Sequence, residues 1–248
     1  MLLALTLACA NAPYAVDLDA WQYWVYAPEE LPEGAPAVVH LHHSGDGREL
    51  AESPDIQRQL TEAGMLGVFP MGGGVPGDDW RVGVNKDDIT RDDRGFVADV
   101  GRDLRATRDD LGDLWLSGYS KGGAMTYDYA CLGEPVYAGF LPMSGAFEDW
   151  VHDTCSHDAR PIRHLQGADD DKWPVRTEDD PESSHEGIID SLAGLQAGGE
   201  CVAAEPVEAD GCLVWDACEV DVRLCFFDGG HEKPDDWLLA HRAWIDGL

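Results

Sequence analysis

The chain has 248 residues, 44% of them hydrophobic, enough to bury the core of one large domain. Its 48 acidic residues against 17 basic ones give a net charge of −31, which repels nucleic-acid phosphates and anionic headgroups and argues against a nucleic-acid partner. The acids are interspersed with apolar periodicity, which excludes a disordered acidic tail; a solubility shell for high salt and plain compositional drift both fit the surplus.

The chain opens on Met1-Leu2-Leu3-Ala4-Leu5-Thr6-Leu7-Ala8-Cys9, an apolar run too short to span a bilayer. It reads as the apolar part of an export signal lacking its basic start. Leu7-Ala8-Cys9 resembles a lipoprotein processing site, which would make Cys9 a membrane tether, and Ala8-Cys9-Ala10 would equally serve as a cleavage site for full secretion. A buried first strand is the competing reading. Residues 1–19 are assigned to this signal or anchor and its linker, and residues 20–248 to a single domain expected to act as a monomer.

The aromatic and β-branched stretch Trp21–Tyr26 predicts an early strand, and the apolar run 36–42 predicts one buried on both faces. A helix is predicted over 48–63, stopped by Gly64, and a strand over 65–70. Residues 72–90 are polar and read as a surface loop carrying Trp80. Asp92 and Asp93 are placed to cap a helix whose apolar face is Phe96, Val97, Val100 and Leu104. Next, Leu114-Trp115-Leu116 runs into Gly118-Tyr119-Ser120-Lys121-Gly122, a strand entering a G-x-S-x-G turn before a helix through Tyr127 and Cys131. Strands follow over 137–143 and 161–165. Residues 201–218 fit no period and read as a disulfide-held excursion near the site. A strand over 220–227 and an amphipathic helix through Trp237, Leu238, His241 and Trp244 close the chain. Strands alternating with helices argue for a parallel-rich sheet covered on both faces.

The G-x-S-x-G turn supplies the first candidate chemistry. Glycines around Ser120 let the chain turn sharply and hold the hydroxyl above the sheet edge; an ordinary glycine-rich loop is the plain alternative. A serine nucleophile needs a base, and the base an orienting carboxylate. His231 is the natural base, because it follows a predicted strand and the Gly229-Gly230 turn; His185 and His241 are less well placed. The acid is sought among Asp169, Asp170 and Asp171, just past a strand end where α/β enzymes place their chemistry. The oxyanion needs two backbone N–H donors, expected from Lys121 and from the His43-Ser44-Gly45 loop. His40, His42 and His43 lack an acidic or cysteine partner at metal-ligand spacing, so no metal is assigned. Setting Cys9 aside leaves six of the seven cysteines, an even number that suits three disulfides in an oxidising compartment, with about 15 pairings open.

Five segments together resemble one group, the secreted esterases that include polyhydroxybutyrate depolymerases and feruloyl or acetyl-xylan esterases. These are Leu41-His42-His43-Ser44-Gly45, Asp92-Asp93-Arg94-Gly95-Phe96, Gly118-Tyr119-Ser120-Lys121-Gly122-Gly123-Ala124-Met125, His164-Leu165-Gln166-Gly167-Ala168-Asp169-Asp170, and Gly229-Gly230-His231 with Pro234. The resemblance spans roughly residues 20–248. It implies an α/β-hydrolase fold, a mostly parallel sheet with helices on both faces, and a carboxylic-ester substrate cleaved without a cofactor. It selects Asp170 over its neighbours, gives Ser44 and Lys121 the oxyanion N–H groups, and pairs Cys131 with Cys155. Trp80 and Trp173 are then expected as apolar substrate walls. The chain departs from the resembled pattern at His43, Gln166 and Glu232-Lys233. His43, standing where that pattern has glycine, keeps open a silent binding module or surface lipoprotein of the same fold; a serine peptidase is the third reading.

Overall fold

The computed structural model describes residues 12–19, 21–43, 45–73, 80, 82, 92–147, 155, 159–180, 185–195, 201–202 and 204–248. Cys9 with the proposed export segment, Ser44 and most of the 72–90 loop lie outside them.

Ten strands form one sheet: β1 (Tyr14–Leu18), β2 (Trp21–Tyr26), β3 (Ala35–Leu41), β4 (Leu66–Pro70), β5 (Leu111–Tyr119), β6 (Gly139–Met143), β7 (Ile162–Gly167), β8 (Val207–Ala209), β9 (Cys212–Val214) and β10 (Val222–Phe227). Their order is β1-β2-β4-β3-β5-β6-β7-β10-β9-β8. The six strands from β4 through β10 run parallel, and an antiparallel pair closes each edge. The helices are α1 (Gly47–Glu52), α2 (Pro54–Ala63), α3 (Asp93–Thr107), α4 (Lys121–Leu132), α5 (Ile188–Leu195) and α6 (Trp237–Ile245).

Alternation along β3 sorts the two cores. Ala37, Val39 and Leu41 pack with Val100 of α3, Met125 of α4 and Leu192 of α5, whereas Val38 packs with Leu60 of α2 and Trp237 and Leu238 of α6. Every residue of β3 is buried, as a strand covered on both faces must be.

Several elements depart from the sequence expectation for local reasons. The helix expected over 48–63 is two helices, because Ser53 precedes Pro54 and takes an extended ψ of 119°. Pro54 then opens α2, and Gly64 ends it in the left-handed region at φ 60°. Within the stretch assigned to the signal or its linker, Tyr14–Leu18 pairs antiparallel with β2 as an edge strand.

The 201–218 segment, expected to be irregular, contains a hairpin over 207–214. Val207 opposes Val214 and Ala209 opposes Cys212, leaving Asp210 and Gly211 as the turn with φ of 51° and 75°. Two successive positive φ values are what a tight hairpin of the primed type requires. Disulfides Cys201–Cys218 and Cys212–Cys225 hold it, and Cys131–Cys155 ties the end of α4 to the chain beyond β6. No helix among the described residues is long and apolar enough to cross a membrane.

Candidate active site

Ser120 sits between the end of β5 and the first residue of α4, with φ 55° and ψ −117°. A non-glycine residue held there stores roughly 1–3 kcal/mol of strain, and the surroundings must over-determine it. They do: Ser120 N–H donates to Met143 O at 2.9 Å, and Ser120 O accepts from Ala124 N–H at 2.9 Å. The turn also demands close backbone approach. A Cβ on Gly122 would lie 2.2 Å from Leu41 O and 2.5 Å from His42 O, so only glycine lets α4 start against the end of β3.

The structure brings Ser120, His231 and Asp170 together from the ends of β5, β10 and β7. Ser120 Oγ lies 2.9 Å from His231 Nε2, and His231 Nδ1 lies 3.0 Å and 3.2 Å from the Asp170 oxygens. A carboxylate at Nδ1 keeps the proton there, leaving the Nε2 lone pair to accept from the serine hydroxyl. The Asp170 side chain is fully buried and that of His231 is 23% exposed. Burial alone would raise Asp170; the His231 bond and the N–H groups of Lys172 and Trp173 outweigh it and hold the carboxyl below its ordinary range.

Further contacts fix this geometry. The Tyr119 hydroxyl donates to His231 O at 2.6 Å, so the residue before the serine anchors the loop of the histidine. Behind Asp170 a buried relay crosses the core. Gln166 can only accept at Oε1, so His164 Nε2–H donates to it at 3.2 Å and His164 Nδ1 accepts from the Tyr127 hydroxyl at 2.9 Å. Gln166 Nε2 donates to Trp173 O at 3.3 Å, and Trp173 N–H donates to Asp170 Oδ1 at 3.3 Å. Gln166→Leu is therefore expected to orphan His164 Nε2–H and Trp173 O at about 1–3 kcal/mol each, read as a lower urea midpoint with unchanged m.

The expected oxyanion donors divide. Lys121 N–H lies in the first turn of α4, where the helix dipole favours negative charge, and Gly122 seats that turn against the end of β3. Ser44 is outside the described residues. The expectation of tryptophan walls is corrected, because both side chains are packed inside. Trp80 is 1% exposed and its indole N–H donates to His42 O at 2.8 Å. Trp173 is 4% exposed and stacks on His185 at 3.9 Å.

The histidines near the end of β3 point to separate partners. His40 Nδ1–H donates to Ser117 Oγ at 3.0 Å, and the Ser117 hydroxyl donates to Leu141 O at 3.0 Å. His42 Nε2 accepts from Gly72 N–H at 2.9 Å, which places its proton on Nδ1 against His43 O. Among the described residues no three metal-ligating side chains gather.

Tyr119 and Gln166 are contributors to the site that the sequence marks only by position: Tyr119 lies inside the G-x-S-x-G turn, and Gln166 at a departure from the resembled motifs.

No protein-family model matches the chain, and no curated protein matches it by sequence. Solved structures do match. An acetyl xylan esterase from Aspergillus awamori superposes with a TM-score of 0.65 at 15% identity, over 89% of this chain and 94% of that one. An S-formylglutathione hydrolase from Staphylococcus aureus gives 0.58 at 14% identity, over 96% and 98%. Est1E from Butyrivibrio proteoclasticus gives 0.57 at 14%, again over 96% and 98%. The protein has the α/β-hydrolase fold. At these identities the likeness is one of fold, and the chemistry rests on the residues themselves.

Proposed function

We propose that the chain is a serine hydrolase of carboxylic esters that works through an acyl-enzyme on Ser120. The observation carrying this reading is the unbroken hydrogen-bond chain from Ser120 Oγ to His231 to Asp170. His231 takes the hydroxyl proton as Ser120 attacks the acyl carbon, then returns it to the departing alcohol. Asp170 holds the ring in the required tautomer and stabilises its charged form. Backbone N–H groups of Lys121 and Ser44 receive the oxyanion, and a water molecule releases the acyl group by the reverse path. The reaction asks for no group beyond these.

The finer reading is an exported enzyme of the polyhydroxybutyrate depolymerase, feruloyl and acetyl-xylan esterase kind, supported by the five resembled segments and by three disulfides that suit an oxidising compartment. A fluorophosphonate probe tests the core of the proposal. It is expected to label the folded protein at one site and to leave Ser120→Ala unlabelled. A folded wild-type protein that resists labelling would make it a binding module instead. Parallel assays on acetyl, butyryl and feruloyl esters against peptide amides separate an esterase from a peptidase.

A further inference from the structure

Beside the end of β3 a cleft of about 360 Å³ opens between α1, α2 and the chain leading into α6. Its lining includes His42, His43, Gln59, Lys233 and Trp237. His43 and Lys233 are both departures from the resembled motifs, far apart in sequence, and they meet here. Both also touch the ring of Tyr119, whose hydroxyl anchors the His231 loop. The His43 ring lies 5.5 Å from it, the His231 ring 5.4 Å, and the Lys233 ammonium 5.4 Å. The cleft is thus a neighbour of the reacting groups, one aromatic ring away.

The lysine itself is unusual. Its ammonium lies between the rings of Tyr119 and Trp237, at 5.4 Å and 5.7 Å, and pairs with no carboxylate among the described residues. In a chain with 48 acidic residues, a half-buried lysine left unpaired keeps its charge available. Desolvation brings it down to about 8, so it remains mostly charged at neutral pH and gains by meeting an anion. The exposed rim carries Glu49, Asp55 and Asp235, which repel an anion at long range, while Lys233 attracts it at contact.

We infer that Lys233 is the specificity-determining cation of this cleft, and that the preferred ester carries a free carboxylate elsewhere on its acyl or alcohol part. This rests on the esterase reading above and names its substrate class. A single carboxylate satisfies the ammonium, and the acidic rim discourages ligands of higher charge.

The test compares matched charged and neutral esters. One pair places the carboxylate on the alcohol side, meta-acetoxybenzoate against its methyl ester. The other places it on the acyl side, para-nitrophenyl hydrogen adipate against the methyl adipate. In the wild type, kcat/KM is expected to favour the charged member of at least one pair. Lys233→Met, which preserves stem packing, is expected to lower that charged-to-neutral ratio about tenfold, the scale of one charge-assisted hydrogen bond. Lys233→Arg should retain it. Raising the salt from about 0.02 to 0.2 M should increase the ratio in the wild type, since screening weakens the rim more than the contact. Ratios insensitive to Lys233 in both pairs, with neutral esters still cleaved, would overturn this inference alone. If the wild type cleaves no ester of either pair, the esterase reading fails and this inference falls with it.

Discussion

Asp170→Asn is expected to lower kcat by about 10⁴ while leaving KM and the thermal midpoint nearly unchanged. The substitution preserves shape, so Lys172 and Trp173 N–H groups still find an oxygen acceptor. What changes is the demand placed on His231. A carboxylate 3.0 Å from Nδ1 requires a proton there, whereas an amide presenting its NH₂ group requires a lone pair. The ring then carries its proton on Nε2, facing Ser120, and cannot accept the hydroxyl proton. Loss of the carboxylate also leaves the developing imidazolium without its counter-charge in a buried setting. Steady-state kinetics with a neutral aryl ester measures both consequences. A decrease smaller than tenfold would mean that Asp170 is a structural turn residue and that another group orients His231.

Acidification is expected to remove much of the stability well above the pH at which carboxylates titrate. His40, His164 and His241 are at most 1% exposed, and all three are held neutral by burial. His164 falls to about 4, and the other two lie well below their ordinary value. Below about pH 6.5 the unfolded chain binds protons at these three rings while the folded chain does not, so stability falls with falling pH. Each contributes a slope of about 1.4 kcal/mol per pH unit, together roughly 4, and the His164 share levels off only where the folded ring itself protonates. Protonating His241 would also set a second cation beside Arg163, whose Nη1 lies 3.4 Å from its Nδ1. Relief of repulsion among the many carboxylates works in the opposite direction, which is why the slope of each variant is the informative quantity. Urea denaturation between pH 7.5 and 5 should show a flatter dependence for His164→Asn and for His241→Gln, whatever their absolute stability. Slopes identical to wild type in both variants would show that these rings already exchange protons in the folded protein.

The central strands and two of the candidate site residues, Ser120 and His231, are legible because their signals are local. Buried parallel strands read as apolar runs, and the turn around Ser120 needs glycines at fixed positions that the sequence displays. Asp170 was different: three consecutive aspartates follow β7, and only likeness to known motifs chose among them. What escaped notice depends on partners distant in the chain. Gln166 looks like any polar residue until its bonds to His164 and Trp173 are seen. Trp80 and Trp173 are expected as substrate walls because they sit in polar stretches near the site, yet tertiary packing buries both. Two further features are marked in the sequence itself. The Asp210-Gly211 pair is a strong short-range hairpin signal, and Ile188, Ile189, Leu192 and Leu195 carry helical spacing that announces α5.

The three cross-links all fall between Cys131 and Cys225. They therefore staple the portion of the molecule that carries Asp170 and His231, while the described strands and helices ahead of Ser120 hold together by strand pairing and packing without a covalent cross-link. Cys212–Cys225 clamps the outer hairpin onto the strand from which the His231 loop departs. Loss of these cross-links is therefore expected to loosen the part of the sheet that carries Asp170 and His231, whereas the described part ahead of Ser120 has no cross-link to lose.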